Sequence, residues 1–438
     1  MNLASFKNLK ENALVTKNYN PQERIKNLEK LLSWISSHEK EIVFALKNDF
    51  NKNEFETVLT EISVLKTELK YFIKNIKHLS KPKKVPTPLT LLGHSSTIRY
   101  EGKGVVLIIS PWNYPFQLAI APLIPALAAG NTVVIKPSEL TPHTSQLIAD
   151  MIREIYPENL VTVELGGKEK TEELLTYDFD HVFFTGSTEV GRIIATKCAE
   201  KLIPYTLELG GKSPVIIDET ADIKDAAQKV YWGKFLNAGQ TCVAPDYILI
   251  HKNKKEVFIK EFNQLIQSNT ESSTGIINKV HFERLNKLIS EPISTENDLY
   301  RLVDSPDLNT PLMKQEIFGP ISPIIEFTDL NEVRDIINLN PHPLALYIFS
   351  QNKRNIIFIL NNIKSGGVAI NNLIIHLANH NLPFGGIRTS GIGSYHGKNG
   401  FLEFSHQRSI LEQKFFKFSM KLLYPPYTDF KKKLLQWL

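Results

Sequence analysis

From residue 105 onward the chain alternates short, uninterrupted apolar runs, rich in β-branched residues, with segments of helical periodicity. That alternation constrains the fold more than any other feature. Runs at 105–109, 132–135, 160–164, 181–184 and 206–209 predict strands, and 116–129, 145–155, 170–175 and 189–202 predict helices between them. A second series places strands at 215–217, 247–250, 323–326, 345–349 and 367–370, with helices at 221–235, 256–267, 330–338 and 353–362. A strand that is apolar on both faces must be covered on both, which a parallel sheet flanked by crossover helices provides. The expected fold class is therefore α/β, with two doubly wound α/β domains. The 438 residues agree, since roughly 150 residues per domain allows two or three.

Ahead of that region, residues 1–80 predict two amphipathic helices. Asn20-Pro21 supplies a cap and a first-turn proline, followed by Ile25, Leu28, Leu31, Leu32 and Ile35 at helical spacing. Val58, Ile62, Leu65, Leu69, Phe72 and Ile76 form the second stripe. Residues 80–88 are a Pro- and Lys-rich break, read as an arm or connector. The apolar stretch 104–135 is interrupted by Pro111, Asn113, Pro115, Gln117, Pro122, Pro125 and Asn131, so it reads as strand, loop and helix rather than a membrane span. The first residues lack the basic-then-apolar profile of a secretion signal.

Composition narrows the function classes. The 42% hydrophobic and 22% charged residues are ordinary globular usage, and 22 Gly with 24 Pro exclude a collagen-like or low-complexity chain. The net charge is +5, and no basic run exceeds Lys431-Lys432-Lys433, which argues against a nucleic-acid partner. Cys198 and Cys242 are the two cysteines, too few for a disulfide framework, so a reducing, cytoplasmic setting is expected.

In doubly wound sheets ligands sit outside the carboxyl ends of the strands, so the residues just past each strand matter most. Asn113, after the first, either caps the next helix or donates its amide to a developing oxyanion. Lys136 and Glu139, after the second, form a surface ion pair or hold a nucleotide's ribose. Phe184-Thr185-Gly186-Ser187 opens a helix whose free amides suit a pyrophosphate, although G-x-G-x-x-G is absent. Glu208-Leu209-Gly210-Gly211-Lys212 offers a general base beside paired glycines, or a hinge with a solvated charge. Cys198 lies in a helical run and reads as a buried spectator. Cys242 ends the polar Gly239-Gln240-Thr241 turn, where a nearby cation or helix N-terminus would lower its pKa and make it a nucleophile. Glu316-Ile317-Phe318-Gly319-Pro320 and Pro383-Phe384-Gly385-Gly386 look singly like loops.

In this order, Trp112-Asn113-Tyr114-Pro115, Lys136-Pro137-Ser138-Glu139 and the motifs around Gly186, Glu208, Cys242, Glu316 and Phe384 together resemble the aldehyde dehydrogenase superfamily over residues 20–412. Trp232-Gly233-Lys234-Phe235, Ala244-Pro245-Asp246-Tyr247 and Phe404-Ser405-His406-Gln407-Arg408 resemble its class 3 branch, which includes the fatty aldehyde dehydrogenases. The resemblance implies a Rossmann-like NAD-binding domain over 1–80 and 99–207 and a catalytic domain over 208–384. It also implies an oligomerisation arm over 81–98 and 395–414 and an amphipathic tail over 415–438. Cys242 matches the nucleophile, Asn113 the oxyanion amide and Glu208 the base that activates water. Lys136 and Glu139 match adenine-ribose contacts, Gly186 and Ser187 the pyrophosphate turn, and Glu316 and Phe318 the nicotinamide side. Ser110, Trp112, Gly191 and Leu209 are placed against the cofactor as well, and no residue is assigned to a metal.

The activity implied is NAD(P)-dependent oxidation of medium- to long-chain aliphatic or aromatic aldehydes to acids, by a homodimer. NAD is expected over NADP because Glu139 would repel a 2′-phosphate. The basic, apolar tail suggests peripheral membrane contact or packing on a partner subunit. One departure stands out: the stretch from 243 to 315 is short for the family, which suggests a trimmed edge strand or tunnel wall. Two competing classes remain, a cofactor-free cysteine hydrolase and a non-catalytic protein that keeps the fold. Ester hydrolysis without aldehyde-dependent NADH would select the first, and inactivity on every aldehyde the second.

Overall fold

The apolar runs fold as two six-stranded sheets, and the alternation of their side chains explains why both faces are buried. The computed structural model describes residues 1–18, 20–91, 93–268, 274–291, 300–414 and 424–435. The first sheet has the order Gly391–Ile392, Tyr205–Leu209, His181–Gly186, Val105–Ile109, Thr132–Lys136, Val161–Val163, parallel except for the two-residue edge at Gly391. Val106, Ile108, Val133 and Ile135 join the core with the N-terminal helices. Val105, Leu107, Ile109 and Val134 pack on the opposite face with Phe6, Leu9 and Ile194. A fully buried side chain of this size contributes about 1.5–3 kcal/mol.

The second sheet runs Arg301–Asp304, Ile321–Phe327, Tyr247–His251, Pro214–Ile217, Ala345–Phe349, Gly367–Ile370, all parallel. Its edge at Arg301–Asp304 pairs with Ile321–Phe327, so the short 243–315 stretch keeps an edge strand. The sequence reading missed it because four residues with charged ends carry little periodic signal. Residues 292–299 of that stretch lie outside the described ones.

Two other expectations are corrected. Residues 1–80 hold more than two helices: Leu3–Thr16, Pro21–Ser37, Glu39–Phe50, and a final run of Glu54–Thr57, the π-helical Val58–Ile62 and Ser63–Leu79. The 116–129 helix is two, Pro115–Ile120 and Leu123–Ala129, split at Pro122, which has no amide to donate. The arm is an antiparallel sheet, Lys83–Val85, His94–Gly102 and Ser405–Gln413; its strands alternate too weakly for a period-2 reading. In the tail Asp429–Leu435 is helical, while 415–423 and 436–438, with the tail's Phe415, Phe416 and Trp437, lie outside the described residues. Among the described residues no helix is long and apolar enough to cross a membrane.

Candidate active site

In the first sheet the chain winds one way from Val105–Ile109 to Thr132–Lys136 and Val161–Val163, and the other way to His181–Gly186 and Tyr205–Leu209. The reversal opens a crevice at the carboxyl ends of Val105–Ile109 and His181–Gly186, the place where such sheets take ligands. From Leu209 the chain crosses Gly210-Gly211-Lys212 and enters the second sheet at Pro214. The carboxyl edge of one sheet thereby meets the amino edge of the other.

Cys242 arrives from the second side. After the helix Ile223–Phe235, Asn237, Ala238 and Gly239 all take positive φ, at 54°, 54° and 71°. Gly239 is required on contact grounds too, since a Cβ there would lie 2.4 Å from the Gly319 carbonyl oxygen. Left-handed Asn237 and Ala238 are strained by roughly 1–3 kcal/mol each, and a buried lattice of amides holds them. Asn237 Nδ2 donates to the Asn113 carbonyl at 2.8 Å and the Gln240 carbonyl at 3.2 Å, and Gln240 Nε2 donates to Asn237 and Gly275 carbonyls. The outcome is a half-buried Cys242, whereas Cys198 sits in the apolar core with its thiol pushed up to about 11 by burial.

Asn113 is not a helix cap. The helix at Pro115 has Tyr114 as its N-cap residue, and Asn113 Nδ2 donates to the Gln240 carbonyl at 2.9 Å. An amide nitrogen carries two hydrogens, so one N–H remains for an oxyanion beside Cys242. Glu208, next to last in its strand, is 3% exposed, and neither carboxyl oxygen has a hydrogen-bond partner. Burial, with Glu403 adding to it, raises its pKa well above the ordinary carboxyl value. The solvated-hinge alternative thus fails for both ends of the motif: Lys212 is buried, with Nζ 2.5 Å from Asp246 and donating to the Leu312 and Gln315 carbonyls.

That clamp fixes Glu316. Asp246 Oδ1 accepts from the Ile317 amide at 3.0 Å, and a Cβ on Gly210 would lie 2.1 Å from Glu316 Oε2, so only glycine admits the carboxyl there. Burial and Asp246 push Glu316 up to about 8 against the pull of the Gly211 amide, Lys212 and Arg284. The Cys242 thiol is raised to about 12 by burial and by Glu316 and Glu208, opposed by the Cys242 and Val243 amides. The lowered thiol pKa left open by the sequence is therefore not a property of the chain alone. A positive charge entering the pocket would favour the thiolate.

The crevice suits a dinucleotide. Ser110 Oγ is buried there without a partner. Ser187 caps the helix Thr188–Glu200, accepting from the Val190 amide at 3.4 Å. Gly191 lets that helix seat on Leu209, because a Cβ would lie 2.6 Å from Leu209 Cδ2. Gly186 ends its strand, leaving helix N-terminal amides facing the crevice mouth. Lys136 Nζ meets Glu139 Oε2 at 2.7 Å. Partial burial works against ionising Glu139, but Lys136 holds it below its ordinary value. Trp112 packs edge-on against Phe318, centroids 5.4 Å apart, which brings the Glu316 loop against the first sheet.

Sequence reasoning missed several supports: Asn237, Asp246, Glu56, Lys52 and Glu61. A signal for Glu61 was present. Glu61 and Glu68 fall on the apolar stripe with Leu65, Leu69 and Phe72, where a carboxyl is out of place unless paired.

A sequence model described as the aldehyde dehydrogenase family matches residues 6–300 and 301–410. The chain is 44% identical over 406 residues to 4,4'-diaponeurosporen-aldehyde dehydrogenase of Staphylococcus aureus, covering 89% of this chain and 88% of that one. It is 40% identical to the dog aldehyde dehydrogenase named dimeric NADP-preferring, covering 92% and 93%. The solved substrate-bound state of Staphylococcus aureus AldH superimposes with a TM-score of 0.94 at 41% identity, covering 100% of this chain and 99% of that one. Family match, relatives and fold agree: this chain belongs to the aldehyde dehydrogenase family.

Proposed function

We propose that this aldehyde dehydrogenase oxidises medium- to long-chain aliphatic or aromatic aldehydes to acids, with Cys242 as nucleophile, Asn113 as oxyanion donor and Glu208 as the base for water. One observation carries the reading: Cys242 is half-buried against an apolar cluster that includes Leu236, Leu373 and Ile374, with Glu208 near enough to act on its thiol and Asn113 bonded to the Gln240 carbonyl two residues before it. Apolar surroundings of the sulfur favour an apolar substrate tail.

The Cys242 sulfur attacks the carbonyl carbon, forming a C–S bond and placing the charge on oxygen. The free N–H of Asn113 and the Cys242 amide stabilise that oxyanion. Lys136, Glu139, Ser110, the Gly186-Ser187 turn and Glu316 would hold NAD(P)+, which when bound would supply the hydride acceptor and a positive charge that favours the thiolate. The thioester left behind is opened by water whose proton goes to Glu208, and the C–S bond breaks as the thiolate departs. A cysteine hydrolase would need the sulfur attack and the thioester hydrolysis but no hydride acceptor, and the Ser110, Ser187 and Glu316 cradle would have no use in it.

NAD is the preferred cofactor, because Glu139 remains ionised and repels a 2′-phosphate. The passage between sheets at Gly210-Gly211-Lys212 supports a division into two domains with its boundary just after the expected 207/208. The strand Ser405–Gln413, with Ile410 and Leu411 exposed, supports a homodimer through the arm, in keeping with the dog relative's name. The exposed Tyr427 and Phe430 beside Lys432 support tail contact with a membrane surface, and two free cysteines support a cytoplasmic setting.

NADH and NADPH formation measured across aldehydes of increasing chain length tests this reading. Catalytic efficiency should rise with chain length and be at least about tenfold higher with NAD; Glu139→Gln should shift the cofactor ratio toward NADP by about tenfold, the effect of one removed like charge of ~1.4 kcal/mol. A preference for the shortest aldehydes would sink the substrate class, and an unmoved ratio would sink the role of Glu139.

A further inference from the structure

The N-terminal helical layer carries an ion pair that the chemistry above does not use. Lys52 and Glu61 are both fully buried, with Lys52 Nζ 2.7 Å from Glu61 Oε1. Glu61 lies in the π-helical turn Val58–Ile62, a wide turn that is rare and frequent at functional sites. Breaking such a pair strands a buried charge, so the chain retains both partners or neither.

Apart from the Phe50 ring, 5.7 Å from the Lys52 ammonium, the outward contacts of the pair lead toward the segments that carry Asn113 and Cys242. Glu61 Oε2 accepts from the Phe116 and Gln117 amides at 3.1 and 2.9 Å. Those amides open the helix Pro115–Ile120, directly after Asn113 and Tyr114. The Lys52 ammonium stands 4.0 Å over the Tyr114 ring, and the Tyr114 hydroxyl is 2.7 Å from Thr241 Oγ1, next to Cys242. From the same segment, Glu56 Oε2 accepts from the Asn237 amide at 3.1 Å and Thr274 Oγ1 at 2.6 Å, so it braces the left-handed turn as well. Asn113 and Cys242 come from different sheets, and the two donors can converge on one oxygen only if something fixes both loops together.

We propose that Lys52 and Glu61 are positioning residues that hold the Asn113 loop and the Cys242 loop in register, so that Asn113 and the Cys242 amide aim at the same oxyanion. This rests on the assignment of Cys242 and Asn113 made above. A displacement of about 1 Å between such groups lowers a rate by roughly a hundredfold, a scale the pair can control without touching substrate.

Glu61→Gln, in the full-length enzyme with NAD, tests it through two rates that both pass through an oxyanion. These are the NADH burst and the cofactor-free hydrolysis of a nitrophenyl ester, each expressed per active site. Both rate constants should fall roughly 10- to 100-fold, with the KM for NAD within twofold of wild type. A purely structural role would lower the burst amplitude and leave the per-site rate constants alone, and that result overturns the proposal. If Glu61→Gln does not fold, Tyr114→Phe decides. It keeps the ring under the ammonium and removes the hydroxyl bond to Thr241. The burst rate constant should fall about 3- to 10-fold, the worth of one net hydrogen bond, and an unchanged burst overturns the proposal. Cys242→Ala runs alongside: activity there would overturn the nucleophile assignment itself, whereas a dead Cys242→Ala with wild-type rates in the other variants overturns the positioning role alone.

Discussion

Cys242→Ala should remove aldehyde-dependent NADH formation by at least about 10⁴-fold, or ~5.5 kcal/mol of barrier, while the protein stays folded. The large effect follows from the division of labour. An aldehyde is a poor hydride donor until a nucleophile has made its carbon tetrahedral, and Cys198 cannot substitute because it is buried in the apolar core. Folding should survive because the turn is held by Asn237 and Gln240 rather than by the sulfur. The variant should also bind NAD with wild-type affinity, measurable by titration. Steady-state activity within twofold of wild type would remove the nucleophile from position 242 and the mechanism with it.

The second large effect is expected at Glu208. Glu208→Gln should leave the first turnover of NADH nearly intact and slow thioester hydrolysis roughly 10²- to 10⁴-fold, the range of a positioned general base. A stopped-flow trace should then show a burst followed by a slow steady state; a trace without a burst would place the base elsewhere. The pH dependence has a definite sign. Burial and Glu403 raise the Glu208 pKa, so its basic form is reached at higher pH than for an ordinary carboxyl, and deacylation should quicken as pH rises toward that pKa, up to tenfold per unit. The Gln variant should lose this slope. The same raised pKa makes the native state hold a proton that the unfolded chain releases. The stability linked to Glu208 is complete below the ordinary carboxyl pKa and is lost as pH rises from there, at up to about 1.4 kcal/mol per unit.

Both effects were open to anticipation from the primary structure, and for different reasons. Glu208 stands at the end of an apolar run, where a carboxyl before two glycines is conspicuous. Cys242 stands in a polar turn, unlike Cys198. In the first sheet the proposed cofactor residues Ser110, Lys136, Gly186 and Leu209 stand at or just past the carboxyl ends of their strands, as the rule for such sheets expects. It fails in the second, where Cys242 precedes the strand Tyr247–His251, and Glu316 and Phe318 precede Ile321–Phe327. The reason is the passage at Gly210-Gly211-Lys212, which joins the carboxyl edge of one sheet to the amino edge of the next. Which edges face each other is decided by chain crossing, and no local pattern encodes it.

Residue order alone yields the strands apolar on both faces, hence parallel covered sheets, and the polar side chains near their ends to which chemistry is assigned. Those properties are local, since periodicity and residue type act within a few positions. The folded chain was needed to show that Glu61 and Lys52 are a buried pair and that Asn113 shares an amide lattice with Asn237 and Gln240. It also decided that Cys242 carries a raised rather than a lowered pKa. Burial and Coulomb interaction depend on distance in space, and the groups that set them lie far away along the chain.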